Sequence, residues 1–222
     1  MPYDYSEDRL IQKSAADLLE NELGWKSVYA FDDEVLGANG TLGRLSYKEV
    51  LLVRELRAAL LRLNPWMNEK QLDEALIRMT EHLSTQTLMQ INEEKYGYIR
   101  DGIPVTRQKL NGETEEVRAK VIDFDVVDNN SFIAVRELKV HGPVYRRRAD
   151  LIGFVNGLPL LFIELKRNDV DVKNAYQKNY KDYLDTITSL FYYNAFVMLS
   201  NGKNRKSVPL ALNGSSSMNG ND

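Results

Sequence analysis

The segment Leu160 to Ile163 is apolar without interruption and runs directly into Glu164, Leu165 and Lys166. An apolar run of this kind, bounded by a turn, predicts a strand covered on both faces. A chain with such a strand must place a layer of structure on each side of a sheet. That makes the charged end of the strand costly, because a buried Glu or Lys needs a partner or a metal ion. The full stretch, RRRADLIGFVNGLPLLFIELK from Arg146 to Lys166, reads as two strands joined by a turn at Asn156-Gly157. Alternate residues of a strand share a face, so Glu164 and Lys166 project together while Leu165 points into a core. Whether Asp150 joins them depends on the turn. A two-residue turn pairs Asp150 with Ile163, whereas a loop of three or five residues, allowed by Pro159, pairs it with Glu164 on one face. In the second case two carboxylates and an ammonium converge, a set that suits a hard divalent cation and phosphodiester hydrolysis.

Glu-x-Lys is a weak pattern, and the chain holds it at Glu93/Lys95, Glu137/Lys139 and Glu164/Lys166. The first lies in a predicted helix, where residues two apart diverge. The second is a true rival: it is also Glu-Leu-Lys, and Asp123 precedes it by the same separation as Asp150 precedes Glu164. Two features favour the third. Ile133, Val135, Glu137 and Lys139 alternate along Ser131 to Val140, which predicts a half-exposed strand with a solvated charged end. Glu164/Lys166 leads into an amphipathic helix and another strand, while Glu137/Lys139 leads only into the break His141-Gly142-Pro143. The competing reading of Asp150, Glu164 and Lys166 is a structural ion pair at a strand end.

Composition narrows the chemistry. With no cysteine there is no disulfide and no thiolate metal site, and the two histidines, His82 and His141, argue against a histidine-built zinc centre. No apolar run is long enough to cross a membrane and no secretory leader is evident, so a cytoplasmic protein is expected. The net charge is −3, yet residues 136–206 hold 13 Lys and Arg against 7 Asp and Glu. A basic half beside an acidic half can present a local phosphate-binding face, or can be mere solvation.

In chain order, Ser6 to Leu23 predicts an amphipathic helix closed by Gly24, and Lys26 to Phe31 a short strand. Asp32 to Arg44 is a glycine-containing loop without the Gly-Lys-Ser/Thr of a phosphate loop. Ser46 with Glu49 reads as a capping box opening a helix whose buried face carries Val53, Leu56, Leu60 and Leu63, and Asn68 with Gln71 opens a second. This helical pair is expected to pack as scaffold beside the sheet. Val117 to Val127 and Ser131 to Val140 read as strands joined by a hairpin turn at Asp128-Asn129-Asn130, so that Val117 to Lys166 is expected to run as consecutive antiparallel strands. Asp171 to Ser189 predicts a covering helix with Tyr176, Tyr180, Tyr183 and Ile187 on one side, and Ala195 to Leu199 a last strand. A single domain is expected over 1–212, with a helix-rich insert at about 45–95, a catalytic core at about 117–202 and a flexible tail at 213–222.

RRRAD…GLPLLFIELK resembles the PD-(D/E)xK nuclease signature, with Ala149 where that signature often has proline. The helix ending Leu23-Gly24-Trp25, then RDGIPV, VIDFDVVDNNSFIAV and SLFYYNAFVMLSNG, extends the likeness over most of the chain. Together they resemble the N-terminal nuclease domain of type I restriction enzyme R subunits. The resemblance implies an α/β, restriction-endonuclease-like fold: a mixed central sheet flanked by helices, with an N-terminal helical part. It implies a double-stranded DNA endonuclease in which Asp150, Glu164 and the Leu165 carbonyl hold Mg²⁺ or Mn²⁺ and Lys166 assists the attacking water. Arg146, Arg147 and Arg148 are the expected phosphate contacts, or a solvated charge run. The family's Gln-x-x-x-Tyr motif is altered here. Gln177 is followed by Tyr180 and Lys181, while Asn179 and Tyr183 form the four-residue pair, so Gln177 or Asn179 is the matching residue. Gln177 is then a candidate catalytic residue, and Asn179 and Tyr183 candidate DNA contacts. Specificity and methylation subunits are the implied partners. ATP is implied only for a longer subunit with a motor, since no Walker A sequence is present. The rival class is a non-catalytic nuclease-like module that binds DNA or another subunit.

Overall fold

The computed structural model describes residues 7–109, 111–165, 180–200 and 205–208. A mixed six-stranded sheet forms the centre, in the order β1 (Lys26–Tyr29), β4 (Phe132–His141), β5 (Arg146–Val155), β6 (Leu158–Leu165), β7 (Phe196–Ser200), β8 (Arg205–Val208). The pairs β1/β4 and β6/β7 are parallel and the others antiparallel. The expected mixed sheet flanked by helices is therefore present, and β5 and β6 are interior strands.

Each face of the sheet has its own core. Helix α1 (Glu7–Leu23) lays Ala16 and Leu19 against Ala134, Leu151, Ile163 and Leu165. The opposite face joins Val135, Ile152, Phe154 and Phe162 to a larger core. That core includes α2 (Ala30–Asp33), α3 (Val53–Leu63), α4 (Glu69–Thr80) and α6 (Lys181–Thr186). The alternation Phe162/Ile163 thus feeds two different cores, which is why the run Leu160 to Ile163 is apolar throughout. Deleting the fully buried ring of Phe162 would cost about 3–5 kcal/mol on the usual scale for such truncations. Tyr180, Tyr183 and Ile187 all enter the larger core, as their helical spacing predicts.

Several local expectations are corrected. The helix read from Ser46 begins at Val53. Ser46 Oγ accepts the Lys48 N–H and Glu49 Oε2 accepts the Leu45 N–H, so box-like bonds form in a turn without a helix. At Asn68 and Gln71 the reciprocal capping box is complete and α4 follows. Val117 to Val127 is not a strand of the central sheet. Thr114–Ala119 (β3) pairs with Ile103–Gln108 (β2) in a separate ribbon, which follows α5 (Leu88–Asp101) directly. The residues Asp128-Asn129-Asn130 make no hairpin turn. Asn129 donates to the Asp123 carboxylate, and Asn130 accepts the Asp123 N–H, so these amides tie a loop instead. Only β4, β5 and β6 form the antiparallel meander. Of the helix read over Asp171 to Ser189, residues 171–179 lie outside the described set. The rest is α6, then a 3₁₀ turn at Thr188–Phe191.

Candidate active site

Val155 faces Leu158 across the Asn156-Gly157 turn, so the turn has two residues. Their φ values, 50° and 82°, are both left-handed, as a type I′ hairpin requires. Asn156 accepts that conformation while its buried amide bonds Val121, Asn130, Ser131 and Arg62. Such a turn alone would set Asp150 opposite Ile163. The register shifts first: Phe154 pairs with Pro159, but Gly153 pairs with Leu161. Leu160 is the extra residue of a β-bulge. Its carbonyl accepts the Ala195 N–H at 2.9 Å and the Asn194 amide at 3.2 Å. Beyond the bulge Leu151 faces Ile163, which brings Asp150 level with Glu164. The longer loop required for this alignment is thus replaced by a short turn plus a bulge.

The two carboxylates lie in different settings. Asp150 is half-buried, and its Oδ2 accepts the Leu165 N–H at 2.8 Å, which fixes the carboxylate against the end of β6. Glu164 is 1% exposed and lies between Ile163 and Leu165, which point to α1, so its side chain takes the α6 face. Tyr183 of α6 stands over both. Its hydroxyl donates to the Arg148 carbonyl at 3.1 Å. Burial, then the charges of Glu164 and Asp150, push the phenol's pKa far above its ordinary range, so it stays a neutral donor. Tyr183 was a candidate DNA contact from sequence; the structure buries its ring and turns its hydroxyl to the carboxylates. The tyrosine stripe on the predicted helix signalled that burial, but nothing in the sequence pointed the hydroxyl at the site.

The three arginines divide. Arg146 is exposed. Arg147 binds Asp182 of α6 through two nitrogens, at 2.6 and 2.9 Å. Arg148 pairs with Glu137 and lies 4.9 Å over the Phe31 ring. Glu137 is therefore not on a solvated face. It is buried, with φ at 58°, and the break in pleat carries Leu138 and Val140 into the core in place of Glu137 and Lys139. Lys139 donates to the Phe31 carbonyl at 3.2 Å. Lys166, Gln177 and Asn179 lie outside the described residues.

The donor set fits a hard dication. Asp150 and Glu164 stand level on adjacent strands, the Asp150 carboxylate rests on the Leu165 N–H, and the Leu165 carbonyl supplies a third oxygen in the same segment. No group of three or more His, Cys, Asp or Glu side chains suited to a metal occurs among the described residues. Remaining ligands would come from backbone, water or phosphate, which is how Mg²⁺ is ordinarily held.

Comparison with known proteins adds a lineage. The chain is 34% identical over 184 residues to the type I restriction enzyme HindI endonuclease subunit of Haemophilus influenzae, covering 81% of this chain and 17% of that one. It is 25% identical over 206 residues to the putative type I restriction enzyme MjaIXP endonuclease subunit of Methanocaldococcus jannaschii, covering 90% of this chain and 19% of that one. A Staphylococcus aureus type I restriction enzyme endonuclease subunit, SauMSSORF170P, is 25% identical over 185 residues, 81% of this chain and 19% of its own length. The chain thus spans under one fifth of these relatives. No helix among the described residues is long and apolar enough to cross a membrane. Residues 4–208 match the type I restriction enzyme R protein N terminus, and the chain belongs to that family.

Proposed function

We propose that this chain is the nuclease module of a type I restriction endonuclease subunit, hydrolysing phosphodiester bonds of double-stranded DNA with Mg²⁺ or Mn²⁺. The observation that carries this reading is the bulge at Leu160, which brings Asp150 level with Glu164 where an unbulged two-residue hairpin would not. A metal ion held by Asp150, Glu164 and the Leu165 carbonyl would polarise the scissile phosphate and acidify a bound water. Leu165 N–H holds the Asp150 carboxylate in one orientation. Tyr183, kept neutral, spans the Arg148 backbone and Glu164 and so fixes the depth of the site. Lys166, two residues beyond Glu164, orients the attacking water or meets charge on phosphorus, with Gln177 or Asn179 as the family's helix residue. Arg146 and Arg148 contact phosphates, while Arg147, bound to Asp182, positions α6. Residues 1–212 act as one domain. Sequence choice belongs to specificity and methylation subunits and ATP use to a motor in a longer cytoplasmic subunit.

The test is a thermal melt with and without millimolar Mg²⁺ or Mn²⁺, beside a plasmid-nicking assay. Metal that binds only the folded site should raise the melting temperature by mass action. Lys166→Ala should keep that response and lose nicking. An equal metal response in the wild type and Asp150→Asn would defeat the reading.

A further inference from the structure

We infer that the tip of the β4–β5 hairpin, Pro143 to Arg146, is a preformed wedge that enters a groove of duplex DNA beside the scissile phosphate; this rests on the nuclease reading above. The tip is apolar where solvent reaches it: Val144 is 80% exposed and Tyr145 52% exposed. The tip is anchored on both sides. Gly142 N–H donates to the Tyr145 carbonyl at 2.8 Å, closing the turn. Gly142 itself presses on α6, where an added Cβ would sit 1.9 Å from the Thr186 carbonyl oxygen. On the other side His141 N–H donates to the Tyr47 carbonyl at 2.9 Å. Below the tip the Arg147 guanidinium lies 5.0 Å under the Tyr145 ring and is itself clamped by Asp182. The ring is therefore presented with one face supported, and little order remains to be imposed on binding.

Charge selects the partner. Arg146 is exposed at the tip and Arg148 half-exposed one alternate residue further along β5. The positive field registers at His141, whose imidazolium is disfavoured by burial and then by Arg146, Arg44 and Lys48. An apolar wedge flanked by arginines is the chemistry of groove binding, in which phosphate contacts position the protein and the wedge meets sugars and base edges. Position agrees. Arg146 is four residues from Asp150 on the same strand, so at ~3.3 Å per residue the tip lies about four base-pair rises from the carboxylates.

The experiment measures binding of a labelled duplex to the intact chain by fluorescence anisotropy across a salt series, with Ca²⁺ in place of Mg²⁺. Val144→Ser with Tyr145→Ser should lose about tenfold in affinity at every salt concentration, as expected for one lost base or sugar contact, with the salt slope unchanged. Arg146→Ala should reduce the slope of log K against log salt by about 1. Val144→Glu, at a largely solvated position, guards against a folding artefact and should weaken binding at least as much. Duplex binding equal to wild type in these variants overturns the inference, and so does a wild type that binds no duplex. A partner protein lost by the tip variants while DNA binding persists overturns it as well. The tip variants should show the wild-type metal melt, so loss of the wedge and loss of the nuclease site are read separately.

Discussion

Glu137-Leu138-Lys139 and Glu164-Leu165-Lys166 are the same tripeptide, begun on the two strands that flank β5. Both glutamates are buried. Glu137 is matched by a fixed cation, Arg148, and takes a left-handed backbone that spoils the pleat. Glu164 keeps a regular strand and is faced by Asp150, a second anion, and by a tyrosine held neutral. The aspartates preceding them differ in the same way. Asp123 folds its carboxylate onto the Asp125 and Val126 N–H groups and the Asn129 amide, and its pKa is lowered to about 2. Asp150 is aimed across the hairpin. One copy of the pattern binds its glutamate to an arginine of the neighbouring strand, and the other sets its glutamate level with an aspartate beneath a neutral phenol.

The largest expected effect tests the second copy. Asp150→Asn or Glu164→Gln should reduce metal-dependent nicking by about 10²-fold or more, the scale of removing a group that stabilises transition-state charge. Either change should also erase the rise in melting temperature with Mg²⁺. Wild-type nicking in both variants would remove the contrast.

Glu137→Gln should act on stability instead. Arg148 is half-exposed, so the loss is about 1–2 kcal/mol in urea unfolding, between surface and buried pairs. Its metal response should persist. A variant that folds normally but no longer responds to metal would move the site toward β4.

Tyr183→Phe keeps the ring packing and removes one hydrogen bond, costing about 1 kcal/mol. The linkage has a definite sign. A phenol whose folded pKa is raised favours the fold below its unfolded value near 10, and stability is lost as pH rises past it. Tyr183→Phe should flatten that alkaline decline, measured by melts between pH 8 and about 11.

The smallest effect sharpens the other aspartate. A depressed folded pKa makes the Asp123 contribution present above its unfolded value near 4 and lost as pH falls toward 2. Asp123→Asn should blunt the acid decline in melting temperature while leaving metal response and nicking intact.

Much of the architecture was legible because local pattern and burial agree. The unbroken run Leu160 to Ile163 named an interior strand, Asn68 with Gln71 named a helix start, and the tyrosine spacing named a packed face. What stayed hidden depends on partners distant in sequence. The bulge is held by Ala195 and Asn194, over thirty residues from Leu160. Asn129 and Asn130 carry turn chemistry that the fold spends on Asp123 and Asn156. The break in pleat at Glu137 comes with Arg148, eleven positions away on the neighbouring strand, so simple alternation failed there. The pairing of Asp150 with Glu164 was legible only as one of two parities.

That parity has a consequence for comparing sequences. Asp150 and Glu164 come level because the bulge absorbs one residue, so a hairpin lacking the bulge reaches the same alignment with one residue fewer. The count of residues between two such acids is therefore free to drift among relatives, provided turn length and bulges change together. Inserting a single residue into the hairpin without a compensating bulge would leave the composition almost untouched and still turn one carboxylate to the wrong side of the sheet.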